Sequence, residues 1–361
     1  MTTMTSTPPV TAHTAGGFAV RTPVPRDVWE AVFAADPEAM PTQSPAWVDC
    51  LSATGRFRDA TRMYERSDGS VAVLPLVRSR GVGGVVHSMP QSWGYGGLIS
   101  APAKPDVALA EAVWRDLSAS ALRIHLRPNP VQEQVWEIVS AGRGVTALPS
   151  RAHILDLSGG FETVWRSRFK SQVRREVRRA EEAGVVVGTD CTGTFVPIFY
   201  ELLQRSFDRW AVRQGEPPWL GRLRGCHRDP LNKFRRIAET MGDGCQISLA
   251  WYRDRPVAAI LVLRAGLVAH YTRGAMDTAI DVPVKVNSLL HKTAVEHACR
   301  DGYLRYHMGD SGFSTGLAQF KTRFGAQQYD FAEYWLERLP VFRVQRAARE
   351  TVKSLIGFRD A

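Results

Sequence analysis

Three apolar runs follow one another in the second half of the chain, Gln246–Arg253, Val257–Arg264 and Leu267–Arg273. They are rich in Val, Ile, Leu and aromatic residues, and only Arg253-Asp254-Arg255 and Ala265-Gly266 break them. Short polar or glycine breaks between β-forming runs predict an antiparallel meander. Around it, the pattern predicts strands at His153–Leu157, Val185–Thr189, Leu304–Met308 and Gln327–Leu336. Helical periodicity marks Phe195–Val212, most of Pro217–Met241, Val284–Cys299 and Thr315–Arg323. This mixed cycle starts near Arg151. An earlier cycle precedes it, with strands at Phe18–Thr22, Ala60–Glu65, Val71–Val77, Val85–His87 and Leu122–Leu126. Its helices are Arg26–Ala34, Ser44–Ala53, Val107–Leu117 and Val131–Ser140, with Ser44 as N-cap and Pro45 at the first helical position. Ser67-Asp68-Gly69 reads as a hairpin turn.

At 361 residues and about 150 per domain, two domains are expected. The fold class is α/β (mixed α+β), a tandem repeat whose two domains each carry a mixed, mostly antiparallel sheet flanked by helices. The boundaries read as a disordered tail over 1–17, a first domain over 18–150 and a second over 151–338. A last amphipathic helix, Val341–Ile356, carries the stripe Val341, Val344, Ala348 and Val352, which suits either packing on a domain or dimerisation. Monomer and homodimer both stay open.

Composition removes several classes. With 44% hydrophobic residues the chain can bury a core. The five cysteines are scattered and never spaced C-x-x-C, which argues against a disulfide framework or zinc ribbon and for a reducing cytoplasm. Residues 1–17 hold no apolar run of the signal-peptide kind, and no stretch reaches the roughly 18 apolar residues that span a bilayer. His291 and His297 lie six apart, off a common helical face, and no H-E-x-x-H occurs, so no metal is expected.

The net charge of +10 is localised. Arg166–Gly184 carries a net +4 and Arg205–Arg236 a net +6, so the rest of the chain is neutral overall. The first segment reads as an amphipathic helix with Phe169, Val173, Val177 and Ala180 on one stripe, ended by Gly184. Lys170, Arg174, Arg175, Arg178 and Arg179 lie outside that stripe. Such a surface is either simply solvated or a tracker of phosphates, which guanidinium groups bind bidentately.

Single motifs say less. Arg78-Ser79-Arg80-Gly81-Val82-Gly83 matches the R-x-x-G-x-G pyrophosphate loop, but it sits between two strands with no helix to follow, so it reads as a glycine-rich turn. Gly309-Asp310-Ser311-Gly312 resembles the loop around a serine nucleophile without the rest of that machinery, and reads as a strand-to-helix loop. In the segment Gln319 to Gly325, Leu317, Phe320 and Phe324 make a core face, with Lys321 about 100° from Phe320.

Several of these segments stand in a recognisable order: Thr42-Gln43-Ser44-Pro45-Ala46-Trp47, the basic Phe169–Val187 stretch, Tyr271 to Asp277, Tyr306-His307-Met308-Gly309, and Phe320-Lys321-Thr322-Arg323-Phe324. Together the chain resembles FemABX-type aminoacyltransferases, whose tandem GNAT fold is shared with BioF2-like acetyltransferase domains. The resemblance implies two GNAT-like domains with a cleft between them, and a final helix (339–361) returning to the first. It implies an enzyme moving an amino acid from aminoacyl-tRNA onto an amine, needing no cofactor. Lys321 then holds the tRNA acceptor end and the transition-state charge. The general base stays open: Asp310 and Asp277 are candidates by loop position alone, and substrate-assisted proton transfer is equally open. Phe320, Tyr271, His270, Thr272, Arg273, Trp47 and Asp49 fall at substrate-binding positions, and Lys170, Arg174, Arg175, Arg178 and Arg179 at tRNA.

Members that accept a nucleotide-linked muropeptide carry Lys where this chain has Asp49, and paired tyrosines where it has His270 and Thr272. An acidic Asp49 would repel a pyrophosphate, so a small-molecule or natural-product amine is the expected acceptor. The competing readings are an acyl-CoA-dependent N-acyltransferase of the GNAT/BioF2-like type and a catalytically silent RNA-binding protein.

Overall fold

A computed structural model describes residues 11–81, 84–102, 104–279 and 284–338, with 342, 344–347 and 351 beyond. The expected tail over 1–10, the second half of R-x-x-G-x-G at 82–83 and most of the last helix lie outside the described residues. Two compact units form, one from the described residues up to Leu148 together with those of 332–339, the other from Pro149–Phe331 together with the described residues of 340–361, so those residues group with the second unit and not, as expected, with the first. Among the described residues no helix is long and apolar enough to cross a membrane.

The first unit contains a five-stranded antiparallel sheet in the order Thr11–Ala15, Phe18–Thr22, Arg62–Glu65, Val71–Leu74, Ile99–Ser100. Its first strand corrects the disordered tail. Gly16 and Gly17 both take positive φ (57° and 86°), a two-residue turn that lets Thr11–Ala15 fold back on Phe18–Thr22. A second ladder joins Phe57–Asp59, Val77–Ser79, Val86–His87 and Arg123–Leu126, and Tyr334–Glu337 closes it on the far side of Arg123–Leu126. The helices Arg26–Ala35, Pro45–Ala53, Val107–Ser120 and Glu133–Ser140 accompany these strands. Trp114 and Trp136 meet edge to face at 6.3 Å in the core.

In the second unit the strands run in the order Val186–Asp190, Cys245–Tyr252, Arg255–Ala265, Val268–Met276, Arg305–Asp310, Thr146–Asp156. The central three are the predicted meander. One pairing is parallel, between Val268–Met276 and Arg305–Asp310, and the helix Val286–Arg300 makes the crossover between them. Pro217–Met241 resolves into two helices, Pro218–Arg228 and Leu231–Met241.

The basic segment departs from one continuous helix. Val164–Arg168 forms a π-helical turn, Phe169 is extended (ψ 125°), and the α-helix starts only at Ser171 and runs to Glu182. Val173, Val177 and Ala180 are buried on the predicted stripe. The break has a cause: Phe169 turns inward to meet Phe324 at 5.1 Å, while the Lys170 N–H donates to the Arg323 carbonyl at 2.8 Å.

Candidate functional site

The parallel ladder pairs Val268 with Arg305, Ala269 with Tyr306 and His270 with His307, and stops there although both strands run on. Just beyond, Tyr271 faces Val262 while Arg273 faces Leu261, so Thr272 is the extra residue of a β-bulge. Strands that part in this way leave backbone and side chains free to face a ligand.

At the parting lies the Gly309–Asp310 turn. The Gly309 N–H donates to His307 Nδ1 at 3.0 Å, which makes that nitrogen the unprotonated acceptor of a neutral imidazole. On the other side, Lys321 Nζ donates to the Gly309 carbonyl at 2.8 Å and the Asp310 carbonyl at 2.5 Å. The helix carrying Lys321 spans Thr315–Arg323 and is capped by Ser314, whose Oγ accepts from the Leu317 N–H.

The core face expected on that helix holds at Phe324, which is fully buried, and is corrected elsewhere. Leu317 is 41% exposed, Phe320 is half-buried, and Lys321, at 2% exposure, is the residue the helix buries. The carbonyls of Gly309 and Asp310 are the reason, since they give a buried ammonium two acceptors where an aliphatic chain would give it none. Burial lowers Lys321 to about 8, with the nearby Asp310 charge pulling the other way. An ammonium has three protons to donate, and two are in use.

Sequence reasoning assigned no site role to His153, His291 or His307. The His270 and His307 rings meet edge to face at 5.0 Å. His153 is fully buried, and neither ring nitrogen has a hydrogen-bond partner among the described residues. Burial lowers it to about 4, helped by the charges of Lys321 and Arg151. His291 is held near 3 by burial and by Lys321, and its Nδ1 meets the Tyr306 hydroxyl at 3.0 Å. His153 and His291 are therefore neutral at physiological pH and add no cation beside Lys321. Their only sequence signal was position, on inward-facing strand or helix sites.

Phe320 and Tyr271 both pack against His291, at 5.5 and 4.7 Å between ring centroids. Burial raises Tyr271 to about 12. Thr272 Oγ1 donates to the Leu261 carbonyl at 3.3 Å. Arg273 reaches away to Asp229 at 3.2 Å, a wholly buried carboxylate that also holds Lys233 at 2.7 Å and Arg228 at 2.9 Å. Asp277 is engaged by Arg205. The turn residue Ser311 is buried and donates its N–H to the Arg151 carbonyl at 2.8 Å. The structure thus brings together Lys321, Asp310, Phe320, Tyr271 and His270.

Trp47 and Asp49 belong to the first unit. Trp47 is buried and its indole N–H donates to the Trp93 carbonyl at 3.0 Å. Thr42 Oγ1 donates to the Tyr95 carbonyl at 2.6 Å and Gln43 Nε2 to those of Gly96 and Gly97 at 3.0 Å. Thr42, Gln43 and Trp47 therefore pin the Trp93–Gly97 loop from within. Asp49 is exposed and accepts from Arg26 at 2.6 Å.

The two basic segments also diverge. Lys170, Arg175, Arg178 and Arg179 are exposed, but Arg174 turns back to the carbonyls of Trp165, Arg166 and Phe169 and caps the π-helical turn. Most of the second segment's charge is neutralised internally. Arg205, Arg222, Arg224, Arg228, Lys233 and Arg236 all pair with carboxylates, and Arg209 donates to the Met276 carbonyl.

Comparison with known proteins bears on the fold. Residues 167–322 match the Acetyltransferase (GNAT) domain. FemX is similar over 89% of this chain and 98% of its own, with a TM-score of 0.63 at 14% identity. The C-terminal domain of an Agrobacterium fabrum protein described as a lysylphosphatidylglycerol synthetase is similar over 92% and 96%, with a TM-score of 0.50 at 12% identity. A conserved Bacteroides thetaiotaomicron protein of unknown function is similar over 86% and 97%, with a TM-score of 0.50 at 10% identity. No curated protein matches the sequence. The class is a GNAT-type fold, mixed α/β and tandem. Within that class the fold is of the FemABX type.

Proposed function

We infer that this protein transfers an aminoacyl group from aminoacyl-tRNA to the amine of a small acceptor, forming an amide. The observation that carries the reading is the buried ammonium of Lys321, clamped on two carbonyls at the end of a parting ladder, with one proton uncommitted among the described residues. An aminoacyl ester is already activated. The amine nitrogen attacks the ester carbonyl carbon, the C–N bond forms, and negative charge gathers on the carbonyl oxygen. A fixed donor in a desolvated site is what stabilises that oxyanion. The ester C–O bond then breaks, and the terminal ribose oxygen leaves as a hydroxyl. It takes the proton that the amine gives up, either directly or by way of Asp310. Tyr271 and Phe320 would flank the transferred group, and positioning supplies the rest of the acceleration.

For the donor, the exposed Lys170, Arg175, Arg178 and Arg179 offer phosphate contacts, beside a pocket of about 370 Å³ lined by Glu162, Trp165, Arg166, Arg174 and Arg178, in which Glu162 already pairs with Arg166. Likeness to FemX and to a lysylphosphatidylglycerol synthetase domain supports a tRNA-borne donor. Asp49 in place of a cation favours a small amine over a nucleotide-linked muropeptide. The match of residues 167–322 to an acetyltransferase domain supports the second reading, transfer from acyl-CoA. Filter binding to a bulk aminoacyl-tRNA pool at several salt concentrations, with acetyl-CoA calorimetry in parallel, separates them. Salt-sensitive tRNA binding without CoA binding is expected. Saturable CoA binding with weak tRNA retention would replace the first reading by the second.

A further inference from the structure

The outer edge of the second ladder in the first unit holds an arrangement of charge that the acyl-transfer reading does not use. Phe57–Asp59 and Val77–Ser79 pair antiparallel with Arg58 directly opposite Arg78. Directly opposed residues share a face, so two guanidinium groups stand side by side, a placement that destabilises a sheet. Arg78 is half-buried, and burial, then Arg58 and Arg62, pulls its guanidinium below the usual range. Neighbouring arginines of this unit are neutralised: Arg62 by Asp116, Arg66 by Asp106, Arg123 by Glu337. Among the described residues, Arg58, Arg78 and Arg80 have no such carboxylate.

These three arginines line one cleft of about 600 Å³, with Ser79 and Ser120 adding hydroxyls, and no carboxylate lines it. The hairpin is held close, since a Cβ on Gly84 would lie 2.3 Å from the Ser79 carbonyl, and this fixes the backbone between Arg78 and Arg80. A cleft of this volume suits a small molecule. Unpaired guanidinium groups that repel one another are stabilised by an anion able to accept from more than one of them, which is the geometry of phosphate.

We propose that this cleft binds a small phosphate-bearing ligand, gripped by the guanidinium groups of Arg58, Arg78 and Arg80. A nucleic acid would call for a basic stripe along the surface, whereas here the cations are gathered in one concavity. The site lies apart from Asp49, which does not line it, and does not depend on the chemistry at Lys321.

The test is calorimetry and thermal denaturation of the full-length protein with inorganic pyrophosphate. The wild type should bind saturably and gain melting temperature. Arg58→Gln, Arg78→Gln and Arg80→Gln should each weaken binding at least tenfold, while Arg253→Gln in the second unit leaves it unchanged. Without pyrophosphate, Arg58→Gln and Arg78→Gln should melt at the wild-type temperature or above it, because repulsion is relieved. No saturable binding by the wild type, or affinity in the three variants equal to the wild type's, would overturn the proposal. So would binding of a 20-nucleotide RNA that needs these arginines while pyrophosphate does not bind.

Discussion

Lys321 and His307 hold the same turn from opposite sides: the lysine ammonium takes the Gly309 and Asp310 carbonyls at 2.8 and 2.5 Å, and the imidazole takes the Gly309 N–H at 3.0 Å. The contact ties the helix Thr315–Arg323 to the strand Arg305–Asp310 through a charge rather than through apolar packing. That charge carries a desolvation cost, and the cost has a pH signature. Lysine titrates at 10.5 in the unfolded chain and near 8 in the folded protein, where burial lowers it. Between those values the unfolded chain holds a proton that the folded protein has released, so stability rises with pH across that window and the full cost is felt below about pH 8. Against Lys321→Met, which lacks the titration, wild-type stability should climb by up to about 3 kcal/mol from pH 7 to 10.5. Lys233, also held near 8, titrates in both proteins and cancels in the difference. Urea midpoints at several pH values measure it, and a constant difference would contradict the assignment.

Asp229 is predicted to be the most costly single charge to remove. It is wholly buried, and Lys233, Arg228 and Arg273 all point at it. Its carboxyl is held far below the ordinary range by these cations, despite its burial. Asp229→Asn leaves three cations facing a neutral amide, at a cost of about 3–5 kcal/mol. A shift in the denaturant midpoint of under 1 kcal/mol would show that the cluster relaxes into water instead.

Gly325 sets the angle of the Lys321 helix. Its φ is +82°, and an added Cβ would lie 2.6 Å from the Arg168 carbonyl, so Ala is excluded by conformation and by space together. Gly325→Ala should lower stability by about 1–3 kcal/mol, and should lower transfer further than the stability loss alone accounts for. Comparing residual activity with the folded fraction from circular dichroism distinguishes the two effects.

The basic helix divides into two kinds of arginine. Arg175→Gln, Arg178→Gln and Arg179→Gln should each reduce the salt slope of tRNA binding by roughly 0.7–0.9 for every phosphate the variant no longer engages, with melting temperature unchanged. Arg174→Gln should do the reverse, lowering the melting temperature because it frees the carbonyls of Trp165, Arg166 and Phe169. Equal behaviour of all four would contradict the division.

The contrast between Arg174 and Arg175 shows where sequence reading ends. Apolar periodicity placed Val173, Val177 and Ala180 on the buried stripe, and the meander turns placed the three central strands. These are local signals with periods of 3.6 and 2. The break at Phe169, the burial of Lys321 and the use of Arg174 all depend on carbonyls supplied by other segments, which no spacing encodes. Thr11–Ala15 was hidden for a related reason. Its Thr-rich, Ala-rich composition is that of a linker, and it becomes a strand only because Phe18–Thr22 offers an edge. At the site, the ordered landmarks singled out Lys321, Phe320 and Tyr271, while the place of His153 and His291 beside Lys321 became visible only in the structure. The second basic segment looked strongly charged because its carboxylate partners lie partly outside it, as Asp277 does for Arg205.

Single-turnover transfer from labelled aminoacyl-tRNA to a small primary amine, followed across pH 6 to 9.5 for the wild type and Lys321→Met, tests the central claim most directly. The account predicts amide formation by the wild type that declines as pH rises through about 8, where Lys321 loses its proton. In a folded Lys321→Met the rate should fall at least about 100-fold, and that decline should vanish. Wild-type turnover undiminished in the variant, or turnover with acetyl-CoA and none with aminoacyl-tRNA, would contradict it.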